Sequence, residues 1–194
     1  GCFQGLTSLE SITLPESLTE IGSMAFAQCS SLTQLTIPAG VKTIGDRAFY
    51  ASGLTDIVLP QSVERMGKYL FYACPNLERV EVKTTIALPE DFCSQCPKLQ
   101  SVVLPDCLEE IGMTSFYGCT SLTTLNLPSS VKRLKYGAFA SMGLKSLTLS
   151  PSIERIGEYC FSESYLESVD LSQANVTTLE KGTFSFCQSL KEAT

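Results

Sequence analysis

Apolar and polar residues along the chain fall into a short alternation followed by a wider spacing, and the two recur together. In Leu32-Thr33-Gln34-Leu35-Thr36-Ile37, the apolar pair Leu35 and Ile37 brackets polar Thr36, the period-two signature of a strand with one buried face. Pro38 closes the segment, because proline has no N–H to give to a ladder. Val41 and Ile44 then stand three apart ahead of Gly45, which predicts a short extended or 3-10 segment ending in a turn. The stretch Asp46-Arg47-Ala48-Phe49 is too brief for an independent helix, so it reads as a single helical turn whose phenylalanine plugs the interior.

This unit repeats along the whole chain. One register runs through Leu9, Leu32, Leu54, Leu77, Leu99, Leu122, Leu144, Leu166 and Leu190 in steps of 22 to 24 residues. A second runs through Phe3, Phe26, Phe49, Phe71, Phe92, Phe116, Phe139, Phe161 and Phe184, nine of the ten phenylalanines, which leaves no room for coincidence. A period of this length marks a solenoid, in which one repeat buries little alone and stacked repeats share a core. The prediction is a single domain over 1–194 of about eight repeats. One parallel sheet should carry a strand in every repeat, centred on Thr13, Thr36, Val58, Glu81, Val103, Asn126, Thr148 and Asp170. The chain opens mid-repeat at Phe3 and closes mid-repeat at Leu190. Solenoid ends need capping, so an excerpt of a longer array is expected.

Comparison between repeats shows what each slot tolerates. The glycine slot holds Gly22, Gly45, Gly67, Gly112 and Gly157 but also Lys135 and Glu180, so a positive φ is not required there. The fourth repeat departs most: Val82 to Phe92 spans ten residues where Ile37 to Phe49 spans twelve, and Phe92 to Leu99 is one residue longer than usual. A local kink is expected at that point.

The stretch from Ser31 through Leu32, Leu35, Ile37, Pro38, Ile44 and Gly45 to Ala48-Phe49 closely resembles the repeat of the BspA-like leucine-rich repeat family, and the likeness covers essentially the whole chain. Together with the repeat pattern it implies an α/β-type repeat solenoid: a right-handed leucine-rich repeat superhelix with a parallel β-sheet on one face and short extended, 3-10 or single-turn helical segments elsewhere. Members of that family are typically surface or secreted proteins of anaerobic or mucosal microbes, often described as adhesins. The resemblance therefore implies a cell-surface or secreted location and binding of a protein or glycan macromolecule. Thr84 to Asp91 and the extra residue around Ser172 to Asn175 depart from the pattern.

Charge and composition narrow the chemistry. A formal net charge of −6 and a pI near 4.7 argue against a phosphate-neutralising surface, so no nucleic-acid partner is expected. No apolar run is long enough to insert into a membrane. The absence of histidine removes the commonest general base, and Glu109 and Glu110 fall in outward slots, so no catalytic residue and no cofactor is assigned. Among the nine cysteines, Cys29, Cys74, Cys96, Cys119 and Cys187 share one repeat slot, and complete repeats have a cysteine there wherever Phe to the next Leu spans six residues or more. Such thiols are expected to be inward and shielded, with disulfides between adjacent rungs as the alternative. Cys93-Ser94-Gln95-Cys96 is a lone C-x-x-C, the spacing of a redox pair or half a zinc site. With Cys74 and Cys119 stacked on either side it could complete four ligands; the reading adopted is a slot Cys96 beside an incidental Cys93, with no metal.

The residues between the inward strand positions must face out. Val58 and Val103 place two apolar side chains in that column, flanking Glu81 and Arg79, with Asn126 next in line. Val58, Arg79, Glu81, Val103 and Asn126 are the candidate partner-binding residues, and the alternative function is a structural spacer that presents another domain.

Overall fold

The computed structural model describes residues 1–194 as a parallel β-solenoid without helix. Two columns of short parallel strands run along it. The first, at the Leu-x-x-Leu-x-Leu segment, contains β3 (Asp56–Leu59), β5 (Arg79–Val82) and β6 (Ser101–Val103), then β9 (Ser146–Thr148), β11 (Ser168–Asp170) and β12 (Glu192–Ala193). The second, at the Val-x-x-Ile segment, contains β1 (Glu20–Ile21), β2 (Thr43–Ile44) and β4 (Arg65–Met66), then β7 (Glu110–Ile111), β8 (Arg133–Leu134) and β10 (Arg155–Ile156). Between the columns lies one cluster of 46 buried residues. Its axis is a file of phenylalanines stacked rung on rung, for example Phe26 on Phe49 at 5.9 Å and Phe139 on Phe161 at 5.4 Å.

The expected helical turn, and with it the α/β class, is corrected. The backbone around each phenylalanine spends its donors on the neighbouring rung rather than on a helix: Arg47 N–H donates to Lys68, Phe49 to Leu70 and Ala51 to Tyr72, at 2.9, 3.1 and 2.9 Å. The residues two before and two after the phenylalanine adopt left-handed φ, as at Arg47 (54°) and Ala51 (50°), and this breaks any helical run. Of 100 backbone hydrogen bonds only 13 lie within the strands, so the turns supply most of the scaffold.

The single continuous sheet is corrected too. The strand column has no strand at Thr13 or Thr36, where one isolated bridge joins Gln34 to Asp56, and none at Asn126. Leu125 and Leu127 are only half-buried, whereas their counterparts Ile57, Leu59, Val80 and Val82 are buried. Both still pack against the core, but the Asn126 backbone pairs with neither neighbour. Ile12 and Leu14 are half-buried in the same way beside Thr13.

In the fourth repeat the irregular spacing resolves as a one-residue slip. Elsewhere the phenylalanine N–H bonds to the residue before the next phenylalanine; here Phe71 donates to Phe92 itself at 2.9 Å, and Cys93 donates to Ser115 at 2.7 Å. Cys93 therefore occupies the phenylalanine slot of the backbone and is not incidental. Phe92 stays fully buried one slot early. Its ring consequently lies edge-on to Phe71 and Phe116, with interplanar angles of 83° where the other pairs in the file lie within 15°.

The slot thiols are inward, and each has a further task. Cys29, Cys74 and Cys96 donate to the carbonyls of Phe3, Phe49 and Phe71 at 3.0 Å, and Cys119 donates to that of Cys93 at 3.1 Å. The carbonyls of Phe3, Phe49 and Phe71 each also accept a backbone N–H, from Leu6, Ser52 and Cys74, so the thiol adds a second donor to an acceptor with two lone pairs. All nine cysteines are free.

The glycine slot is set by space, since none of its glycines has a positive φ. A Cβ on Gly67 would lie 2.2 Å from the Asp46 backbone nitrogen, whereas one on Gly22 would meet nothing within 4 Å. Gly67→Ala is expected to lose about 1–3 kcal/mol through overpacking and Gly22→Ala almost nothing. Equal urea midpoints for the two variants would contradict this account.

Candidate functional site

Parallel register brings three of the candidate residues side by side. Val58 pairs with Glu81 and Glu81 with Val103, while one row away Asp56 pairs with Arg79 and Arg79 with Ser101. Alternation forces this arrangement: Ile57, Leu59, Val80 and Val82 point into the core, so the residues between them must point out. Val58 and Val103 are 43% and 51% exposed, among the most exposed large apolar side chains of the chain. Charge frames them, with Arg79 3.5 Å from Asp56 and Lys83 3.3 Å from Glu81. Asn126 is exposed but does not join this surface through the ladder.

The second column carries cross-rung ion pairs in the outward slots: Lys42 with Glu64 at 2.9 Å, Lys132 with Glu109 at 3.2 Å, and Glu110 with both Arg133 at 3.0 Å and Lys135 at 2.7 Å. Burial works against ionisation of Glu110, but hydrogen bonds from Lys135 and Arg133 hold it below the usual carboxylate range. Exposed pairs of this kind contribute about 0–1 kcal/mol each. They help register.

A second surface lies on the turns, and it was not legible in the strand pattern. An open groove of 670 Å³ runs between the residues two before the phenylalanine slot (Met24, Arg47, Tyr69, Asp91 and Thr114) and those one after it, among them Tyr50, Tyr72, Ser94 and Tyr117. Tyr50 stacks on Tyr72 at 5.8 Å, Tyr69 meets Tyr72 edge-on at 5.8 Å, and the Arg47 guanidinium covers Tyr69 at 4.5 Å. Burial pushes the Asp91 carboxyl up; the Ser94 and Thr114 hydroxyls offset part of that rise. Ser94 Oγ itself is buried with no partner in hydrogen-bonding geometry. The signal in the sequence was the recurrence of tyrosine immediately after Phe49, Phe71 and Phe116.

Comparison with known proteins places the repeat. The family model of the BspA type leucine rich repeat region matches residues 1–93 and 86–194, in six copies. A leucine-rich repeat protein from Bacteroides ovatus superposes with a TM-score of 0.89 at 28% identity, over 98% of this chain and 50% of its own. A leucine rich cell surface protein from Faecalibacterium prausnitzii gives a TM-score of 0.59 at 26% identity, over 93% of this chain and 58% of its own. A leucine rich repeat protein from T. pallidum gives 0.63 at 28% identity, over 72% and 68%. The chain spans about half the length of the Bacteroides ovatus protein. No curated protein sequence matches it.

Proposed function

This chain belongs to the BspA type leucine rich repeat family, and from that premise we propose that it is a non-catalytic interaction module, exposed at the cell surface or secreted, that docks a partner protein on the β3–β5–β6 face. The observation that carries the reading is the register itself, which sets exposed Val58 and Val103 on either side of Glu81 with Arg79 in the adjacent row. Apolar anchors inside a charged frame are the usual make-up of a binding centre. The surface location rests on the family and on the Faecalibacterium prausnitzii relative, which is a cell surface protein.

The test is a measured affinity. Proteins retained from mucosal secretions by the immobilised chain are purified singly and their dissociation constants determined against wild type and against Val58→Asp, Arg79→Glu, Glu81→Lys and Val103→Asp. At least one partner should bind these variants about tenfold or more weakly, the loss of roughly 1.4 kcal/mol that a modest hot spot carries. Wild-type affinity in all four variants for every partner would remove this face from the function. A chain that retains no protein at all would favour the spacer reading.

A further inference from the structure

We propose that the turn groove is a second, independent binding site, for an uncharged oligosaccharide, with one sugar ring seated between Tyr72 and Tyr117 over Ser94. The column one residue after the phenylalanine slot reads Tyr50, Tyr72, Ser94, Tyr117 along successive rungs. The slip in the fourth repeat puts Ser94 in this column, because Cys93 takes the phenylalanine slot. A small residue thus sits at the floor between two aromatic walls. Tyr72 and Tyr117 stand two rungs apart, about 10 Å at the spacing of parallel strands. One ring between them lies about 5 Å from each, within the range at which aromatic faces make favourable contacts.

The polar groups at this point are those a polyhydroxylated ring requires. Beyond its approach to the Asp91 carboxyl, buried Ser94 Oγ has no partner in hydrogen-bonding geometry, which is costly unless something engages it. Asp91, partly buried, and Thr114 line the same wall, so hydroxyl, carboxyl and ring faces converge, as in small-molecule sites that combine aromatic walls with a few placed polar groups. The groove volume of 670 Å³ lies in the range of such sites, about 300–1,000 Å³. An extended peptide fits less well, because affinity in strand addition comes from free backbone groups, and here they are spent between rungs: Tyr69 N–H on Glu90, Ala73 on Ser94, Asp91 on Met113, and Gln95 on Tyr117. The groove holds one cation, Arg47, and one carboxyl, Asp91, so its lining has no net charge with which to select a charged glycan, and the chain's net charge of −6 disfavours acidic ones, which leaves the uncharged class.

Tyrosine emission reports directly on the site, since the chain has no tryptophan. The full chain is titrated with maltohexaose, cellohexaose and chitohexaose, with polygalacturonate as the acidic comparison. At least one neutral hexasaccharide should give a saturable change. Tyr72→Ser and Tyr117→Ser, which install the residue that Ser162 and Ser185 already provide in this column, should each weaken it about tenfold with thermal melts still cooperative. Tyr72→Phe keeps the ring and should bind within about threefold of wild type. Tyr165→Ala, exposed outside the groove, should bind as wild type does, and so should the Val58→Asp variant, which separates this site from the strand face. No saturable response to any neutral hexasaccharide, a response to polygalacturonate alone, or unchanged affinity in folded Tyr72→Ser and Tyr117→Ser would each overturn the proposal.

Discussion

Phe116→Ala should cost about 3–5 kcal/mol, the range for deleting a buried aromatic side chain that leaves a cavity. Phe116 is fully buried in the middle of the file, stacked on Phe139 at 5.8 Å with planes 2° apart and meeting Phe92 edge-on at 6.4 Å. Its backbone cannot close over the gap, because Thr114, Phe116 and Gly118 are each bonded to the next rung at 2.9, 2.9 and 3.0 Å. Phe3 stacks on Phe26 alone and is half-buried, so Phe3→Ala should lose much less. Phe186 is out of phase with the repeat and 73% exposed; Phe186→Ala should change stability by no more than about 0.5 kcal/mol. Urea unfolding of the three variants ranks them, and equal losses at positions 116 and 3 would defeat the stacked-plug account.

The same file shows why the interior was readable from sequence and the turns were not. Buried columns demand the same residue type in every rung, so Leu32, Leu54 and Leu77, or Phe26, Phe49 and Phe71, announce themselves by recurrence. The fourth repeat misleads because residue identity and backbone register part company. Phe92 fits the core column as a side chain, but the hydrogen bonds assign its slot to Cys93. The clue was present: counted from Cys93, the turn to Leu99 spans six residues, the length of the other cysteine-bearing turns, with Cys96 in its usual place.

The binding surfaces divide along the same line. Outward positions on a strand follow from alternation, so Val58, Glu81 and Val103 could be placed next to one another from the sequence. Asn126 could not, because its rung forms no ladder with either neighbour, and the alternation of Leu125 and Leu127 about it matches that of rungs that do pair. On the turns, facing is set by alternating left-handed residues such as Tyr69 (58°), Ala73 (58°), Asp91 (53°) and Gln95 (60°), conformations that non-glycine residues seldom adopt. A helical turn would have aimed the Tyr69 and Asp91 side chains by its 3.6-residue period; the observed backbone, with its left-handed residues, sets Tyr69, Tyr72 and Asp91 along one groove.

Alkaline pH should unfold the chain through its buried thiols. Burial pushes the Cys119 thiol from 9.0 up to about 12. Burial, with the neighbouring Cys119 and Cys74, pushes Cys93 well up too. An acid whose folded value is raised keeps its full contribution below the unfolded value, because both states are then protonated. Between 9.0 and about 12 the unfolded chain releases the Cys119 proton while the folded chain retains it, so stability falls as pH rises. The slope for one thiol is about 1.4 kcal/mol per pH unit, reaching about 4 kcal/mol across the window. Cys119→Ala removes the thiol and its hydrogen bond to the Cys93 carbonyl, so it should be about 1–2 kcal/mol less stable at pH 7. Its stability should then decline less steeply than wild type above pH 9, by about 1.4 kcal/mol per unit. Lysine and tyrosine titrations are common to both proteins and cancel in the comparison. Denaturant melts from pH 7 to 11 under reducing conditions give the two profiles: convergence above pH 9 and a crossing by about pH 11 are the expected result, and parallel profiles would show that Cys119 ionises freely in the folded state.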